Sequence, residues 1–338
     1  MLTAIRSANT ERSISTVVSL SRPDDNGLGE HDVPALRRSD ELEPTETLPN
    51  GAVRADLPTA TVAADIASLE PGHGVHMQDG KATTLAAERY AIEIDHVCKT
   101  FGSNAVMNCL DLTFREGAIT TVLGPSGTGK SVLIKHILGL MFPDSGDVRV
   151  FGKSIPSLSD PELLDLRREF GVLFQDGALF GSMNIYDNVA FPLRQHTDYP
   201  EERIRDIVMS RLQEVGLEAA ARKMPSQISG GMRKRAGFAR ALVTDPKILM
   251  FDEPDSGLDP VRTSLLNDLI LRVHEEFGGT YLIVTHDINT ARKVSDDLAV
   301  IWKGRAVFCG PAATGFSSED PFVRQFLAGH SAGPLGMD

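Results

Sequence analysis

The sequence predicts an α/β fold built on a mainly parallel sheet, and three kinds of segment lead there. AITTVLG, KILMFD and TYLIVTH are short, continuous apolar runs without polar alternation, the pattern of strands covered on both faces. Between them lie stretches with helical apolar spacing. Ahead of them stand two alternating segments, which read as an antiparallel pair on one flank.

Taken in order, AIEIDHVCKTF from Ala91 alternates as a strand, and NCLDLTF is its expected partner. AITTVLG is a buried strand ending in glycine, and KSVLIKHILGL continues as a helix. Ile204, Ile207, Val208, Leu212 and Val215 fall on one helical face, as do Leu265, Leu266, Leu269, Val273 and Phe277 later. KILMFD and TYLIVTH supply two further buried strands. From about Gly310 the chain is punctuated by Gly, Pro and Ser, with one short helical candidate in PFVRQFLAG. There is no internal repeat.

Residues 1–88 differ in kind. They carry 14 acidic and 7 basic residues and few apolar ones, too few to offset chain entropy, so a disordered acidic extension is expected there. The folded domain is expected over 89–310, with a C-terminal extension over 311–338. The 338 residues are 41% hydrophobic and carry a net charge of −12, a balance that argues against nucleic-acid partners. Cys98, Cys109 and Cys309 show no CxxC spacing and read as small buried hydrophobes in a reducing compartment. With no membrane-length apolar run and no secretory signal, the expected location is cytoplasmic, with any membrane attachment made through partners.

The chemistry starts at GPSGTGKS, which is Gly124, Pro125, Ser126, Gly127, Thr128, Gly129, Lys130 and Ser131. It matches GxxxxGK[ST] between a strand and a helix, where backbone amides and a helix start cradle phosphates. Lys130 would reach the β- and γ-phosphates, and Ser131 would ligate Mg²⁺. At the end of KILMFDEP, Asp252 is placed to hold the metal and Glu253 to polarise the attacking water. A second anion-binding turn stands at Ser229, Gly230 and Gly231 in ISGGM.

These elements together resemble the ABC-type P-loop NTPases over about residues 91 to 310. The resemblance implies a mainly parallel core sheet, an antiparallel β subdomain and an α-helical signature subdomain. ISGGM stands where the family has LSGGQ, with Met232 in place of glutamine. Gln175 in VLFQD resembles the Q-loop glutamine that touches Mg²⁺ and water. SGLD, from Ser256 to Asp259, resembles the D-loop, and His286 in IVTHD the switch histidine. Phe101 stands where an aromatic, more often tyrosine, stacks on adenine. The same resemblance implies ATP hydrolysis with Mg²⁺ and a head-to-tail dimer of two copies with ATP sandwiched between them.

FQDGALFGSMNIYDNVAFPLR, ISGGMRKRAGFARAL and FDEPDSGLDP look like the ATPases of Mce/Mla-type lipid transporters, which are MlaF-like. The acidic N-terminus and 24 Arg against 10 Lys resemble the actinobacterial MceG/Mkl type. That branch implies integral-membrane permease subunits, Mce-type lipid-binding proteins beyond them, and a position on the inner face of the cell membrane. Other cargoes (ribonucleotides, amino acids, metals) and a soluble ABC ATPase acting on ribosomes or DNA are the alternatives. One cassette without a coiled-coil insert disfavours the last.

Overall fold

The computed structural model describes residues 89–125 and 127–335. The expected extension over 1–88, Ser126 and residues 336–338 lie outside them.

The alternating segments pair as expected. β1 (Tyr90–Phe101) and β2 (Asn104–Arg115) run antiparallel from Tyr90 opposite Arg115 to Phe101 opposite Asn104. β3 (Ile119–Leu123) is buried at every position and leads through the glycine-rich loop into α1 (Lys130–Ile137). β4 (Ser145–Val150) pairs with the free side of β1, and β5 (Lys153–Ser154) completes a four-stranded sheet in the order β2-β1-β4-β5. α2 (Asp160–Arg167) starts at Ser159, whose amide and hydroxyl both donate to Glu162 Oε2, at 2.9 and 2.6 Å.

The central sheet is six-stranded. β6 (Phe170–Leu173), β7 (Ile248–Asp252), β8 (Thr280–Thr285), β3 and β9 (Asp297–Trp302) are parallel neighbours, and β10 (Arg305–Pro311) closes the far side antiparallel to β9. β7 shows why these strands are apolar throughout. Leu249 and Phe251 enter one core, Ile248 and Met250 the other, so both faces are covered.

α3 (Ile185–His196), α4 (Glu201–Glu214) and α5 (Gly230–Leu242) pack over one face with α6 (Pro260–Phe277). On α4, Ile204, Val208 and Leu212 are buried while Ile207 is half-buried, and each full burial contributes about 1.5–3 kcal/mol. α6 corrects the sequence expectation: Leu265 is 64% exposed and Phe277 42% exposed. The buried stripe is Leu266, Leu269, Ile270 and Val273, because Leu265 lies one residue, or about 100°, off that line. Phe277, at the last turn, lies under the Arg211 guanidinium instead.

α7 (Ile288–Val294) follows β8. After β10 come α8 (Ala312–Phe316) and α9 (Pro321–Ala328), whose Val323 and Leu327 pack with Leu123, Leu298 and Val300. Among the described residues no helix is long and apolar enough to cross a membrane. The cysteines are not the buried hydrophobes expected: Cys98 is half-buried, and Cys109 and Cys309 are exposed.

Candidate functional site

Four parallel strands in the order β3-β8-β7-β6 deliver the predicted residues to one edge of the sheet. β3 runs into Gly124, β8 into His286, β7 ends at Asp252 with Glu253 next, and Gln175 follows β6. Ligands of open parallel sheets bind at this edge, outside the carboxyl ends of the strands.

The loop after β3 is shaped by its neighbours. Gly129 has φ +92, and a side-chain carbon there would meet Val106 Cγ1 at 2.8 Å and the Val106 carbonyl at 3.1 Å, so only glycine fits. Lys130 Nζ donates to the Gly124 and Pro125 carbonyls at 2.7 and 2.8 Å, which holds the ammonium inside the curl of the loop. Burial pushes Lys130 below the usual lysine range, while Glu253 and Asp252 oppose that shift. Thr128 Oγ1 donates to the Pro125 carbonyl at 2.8 Å, and Gly127 is exposed on the loop.

Ser131 Oγ donates to Asp252 Oδ1 at 3.3 Å. Burial pushes the Asp252 carboxyl above its ordinary value, with the Ser131 hydrogen bond opposing. Glu253 sits in the left-handed region at φ +48, a conformation costing a non-glycine residue about 1–2 kcal/mol. Its amide donates to the Val284 carbonyl at 2.8 Å, and that bond fixes the carboxylate at the strand ends. The His286 Nδ1 atom lies 3.7 Å from Glu253 Oε1. Gln175 Nε2 donates to Ser256 Oγ at 2.9 Å, and the Ser256 amide donates to the Glu253 carbonyl. Lys130, Ser131, Asp252, Glu253, His286 and, through Ser256, Gln175 therefore form one cluster.

The remaining predicted residues stand elsewhere. Ser229 caps α5 by accepting from the Met232 amide at 3.3 Å. Gly230 and Gly231 open that helix; a carbon added to Gly231 would touch only the Leu258 and Arg262 side chains, at 3.8 Å. Asp259 caps α6 through the Arg262 amide at 3.0 Å. Phe101, 44% exposed, ends β1 on the ribbon whose Val106 walls the phosphate loop.

A family profile described as ABC transporter matches residues 107–256. The chain is 52% identical over 247 residues to a probable ribonucleotide transport ATP-binding protein, mkl, of Mycobacterium leprae, covering 73% of this chain and 71% of that protein. It is 41% identical to the intermembrane phospholipid transport system ATP-binding protein MlaF of Haemophilus influenzae, covering 72% of this chain and 92% of that protein. The chain belongs to the ABC transporter ATP-binding proteins of the Mkl/MlaF type.

Solved cassettes agree. A dimeric ATP-binding cassette in a post-hydrolysis state, bound to ADP and Pi, superposes with a TM-score of 0.61 at 30% identity, covering 65% of this chain and 98% of its own. CbiO1 from Clostridium perfringens, part of the ABC transporter complex CbiONQ, gives 0.63 at 30% identity over 71% of this chain and 96% of its own. The strand-end cluster is thus set in an ATP-binding, ATP-hydrolysing ABC cassette.

Within this cassette the structure adds residues that sequence reading missed. Lys234, on α5 inside the run MRKR, is buried and donates from Nζ to the Pro254 and Ser256 carbonyls. Arg240 donates to the Gly177 and Ala178 carbonyls at 3.0 and 2.7 Å, and Gly237 packs so closely on Gly177 that an added carbon would meet its Cα at 2.9 Å. Asp255, 7% exposed, accepts from Thr285 Oγ1 at 2.6 Å, and Thr285 accepts from the Asp287 amide at 2.9 Å. That bridge spans the chain between Glu253 and His286. A third acid beside the DE pair was the available sequence signal.

Proposed function

We propose that the chain, over 89–310, is the nucleotide-binding domain of a lipid transporter of Mce/Mla type, and that two copies close head to tail on two ATP molecules. The observation that carries the dimer is the pair Gly230 and Gly231. Neither has positive φ and neither has a neighbour of its own chain that a methyl group would strike. Their bareness makes sense if something approaches from outside, namely the triphosphate held by the phosphate loop of the twin.

In this reading Lys130 and the loop amides bind the β- and γ-phosphates, and Phe101 stacks on adenine. Glu253 accepts the proton of the attacking water, and His286 contacts the γ-phosphate. Ser131 Oγ, the Asp252 carboxylate and the Gln175 amide oxygen are hard oxygen donors that suit Mg²⁺. A half-buried Asp252, its carboxyl pushed up by burial and with one hydroxyl partner 3.3 Å away, is a carboxylate that a cation would stabilise. When bound, Mg²⁺ would neutralise charge on the two outer phosphates.

Residues 176–194 are the dock for integral-membrane permease subunits, which hold the chain on the inner face of the cell membrane. Phe180 is exposed on this segment. Mce-type lipid-binding proteins join through the permease. Residues 1–88 and 311–338 are extensions to this machine.

Lipid cargo is supported by the name of the Haemophilus relative, whereas the Mycobacterium leprae relative is named for ribonucleotides. Copurification from native membranes followed by reconstitution separates the readings. ATP-driven transfer of phospholipid, fatty acid or sterol in proteoliposomes is expected. Nucleotide transfer in its place would move the cargo, and recovery with ribosomes or DNA would end the transport reading.

A further inference from the structure

Two of the three cysteines in the chain face each other. Cys98 on β1 and Cys109 on β2 place their sulfurs 2.8 Å apart, both as free thiols, one short closure from an S–S bond of about 2.05 Å. The approach is made by a bulge. From Val97 opposite Leu110 to Lys99 opposite Met107, β1 advances two residues and β2 three. Cys109 itself has φ +52. A bulge of this kind re-aims a side chain, and here it turns Cys109 toward Cys98 at an accessible surface.

The two thiols are chemically unequal. The hydrogen bond from Cys109, with a further one from Ser145, holds the Cys98 thiol below its ordinary range, and the same contact raises Cys109. Cys98 is thus the more easily ionised nucleophile and Cys109 the resolving partner. The bulge also leans on the nucleotide site. Val106, three residues before Cys109, is in contact with Gly129 of the phosphate loop, and the Asn108 amide donates to the Gly304 carbonyl at 2.9 Å. Phe101 lies three residues beyond Cys98 on β1.

We propose that Cys98 and Cys109 are a reversible redox site, closed to a cross-strand disulfide by a peroxide, and that closure weakens ATP binding by drawing the bulged strand away from the phosphate loop. The Cys98 thiolate attacks one peroxide oxygen; an S–O bond forms, the O–O bond breaks, and the departing hydroxide takes up the proton that Cys98 lost, as water. The Cys109 sulfur then attacks the sulfenic sulfur; the S–S bond forms, the S–O bond breaks, and the departing hydroxide takes the Cys109 proton as water. Two thiols and one hydrogen peroxide yield one disulfide and two waters. Only the effect on ATP rests on the nucleotide reading above.

The test compares the full chain reduced and after hydrogen peroxide, with free thiols alkylated before digestion and mass analysis. The expected product joins the Cys98 and Cys109 peptides, two hydrogens lighter than their sum, and dithiothreitol reverses it. The oxidised chain should bind ATP about tenfold more weakly, within the usual range of coupling between sites. Cys98→Ser and Cys109→Ser should keep the reduced chain's ATPase and lose the response to peroxide. Separate alkylated or sulfinic peptides would overturn the pairing, and a disulfide with unchanged ATP affinity would overturn the coupling. A reduced chain that binds no ATP would instead sink the nucleotide reading and leave the mass measurement standing.

Discussion

Two glycine-bearing turns in this chain each open a helix, and the chain's own fold requires only one of them to be glycine. At the phosphate loop, Gly129 has positive φ and is pressed against Val106; the neighbours dictate the residue. At the SGG turn, Gly230 and Gly231 have ordinary backbone angles and room beside them. A residue explained from within belongs to folding, and one that is not calls for an external explanation. The first turn is complete in a single molecule, and on our reading the second is half of a site.

The largest effect expected on this contrast comes from the chemistry between the turns. Glu253→Gln should lower kcat by roughly 10²–10⁴-fold, the usual share of a general base, while ATP still binds and dimers accumulate. Phosphate release and size-exclusion with ATP read both, and wild-type turnover would remove Glu253 from that role. Lys130→Ala should weaken ATP binding by roughly 10- to 150-fold, from losing charged hydrogen bonds of about 1.5–3 kcal/mol; calorimetric titration checks it.

The glycines themselves give a sharper pair. Gly129→Ala should cost at least about 1–2 kcal/mol of stability from backbone strain alone. Gly231→Ala should melt like the wild type and bind ATP as a monomer, yet lose ATP-dependent dimerisation and turnover. Equal melting losses would erase the distinction. The smallest effect concerns the bridge between the acid and the histidine. Asp255→Ala and Thr285→Val should each lower kcat severalfold at constant KM. The double variant should be no worse than either, a coupling of about 0.5–3 kcal/mol; additive losses would mean that the two act separately.

Much of this was legible in the sequence because apolar runs bounded by GPSGTGKS, DEP and THD encode strand ends directly. The sequence did not show which charges go inside. Lys234 lies in a basic run where nothing in the sequence sets it apart from Arg233 and Arg235, and its burial makes sense only once Pro254 and Ser256 aim carbonyls at it. Cys98 and Cys109 are eleven residues apart and unremarkable until one bulge in β2 turns them together. Leu265 and Phe277 matched a helical stripe by spacing, but Leu265 falls about 100° to the side of the line that is buried and Phe277 stands at the helix's last turn.

Helix α5 joins three parts of the cassette. Near one end it is bolted to the segment after Gln175 by Arg240 and by the Gly237–Gly177 contact, and along its length Lys234 ties it to the stretch after Glu253. Its opposite end presents Ser229. Such a member behaves as a stiff lever: on our reading of residues 176–194 as a permease dock, a push on residues 177 and 178 would arrive at the SGG turn and at the hydrolytic edge in the same stroke, with little slack to absorb it.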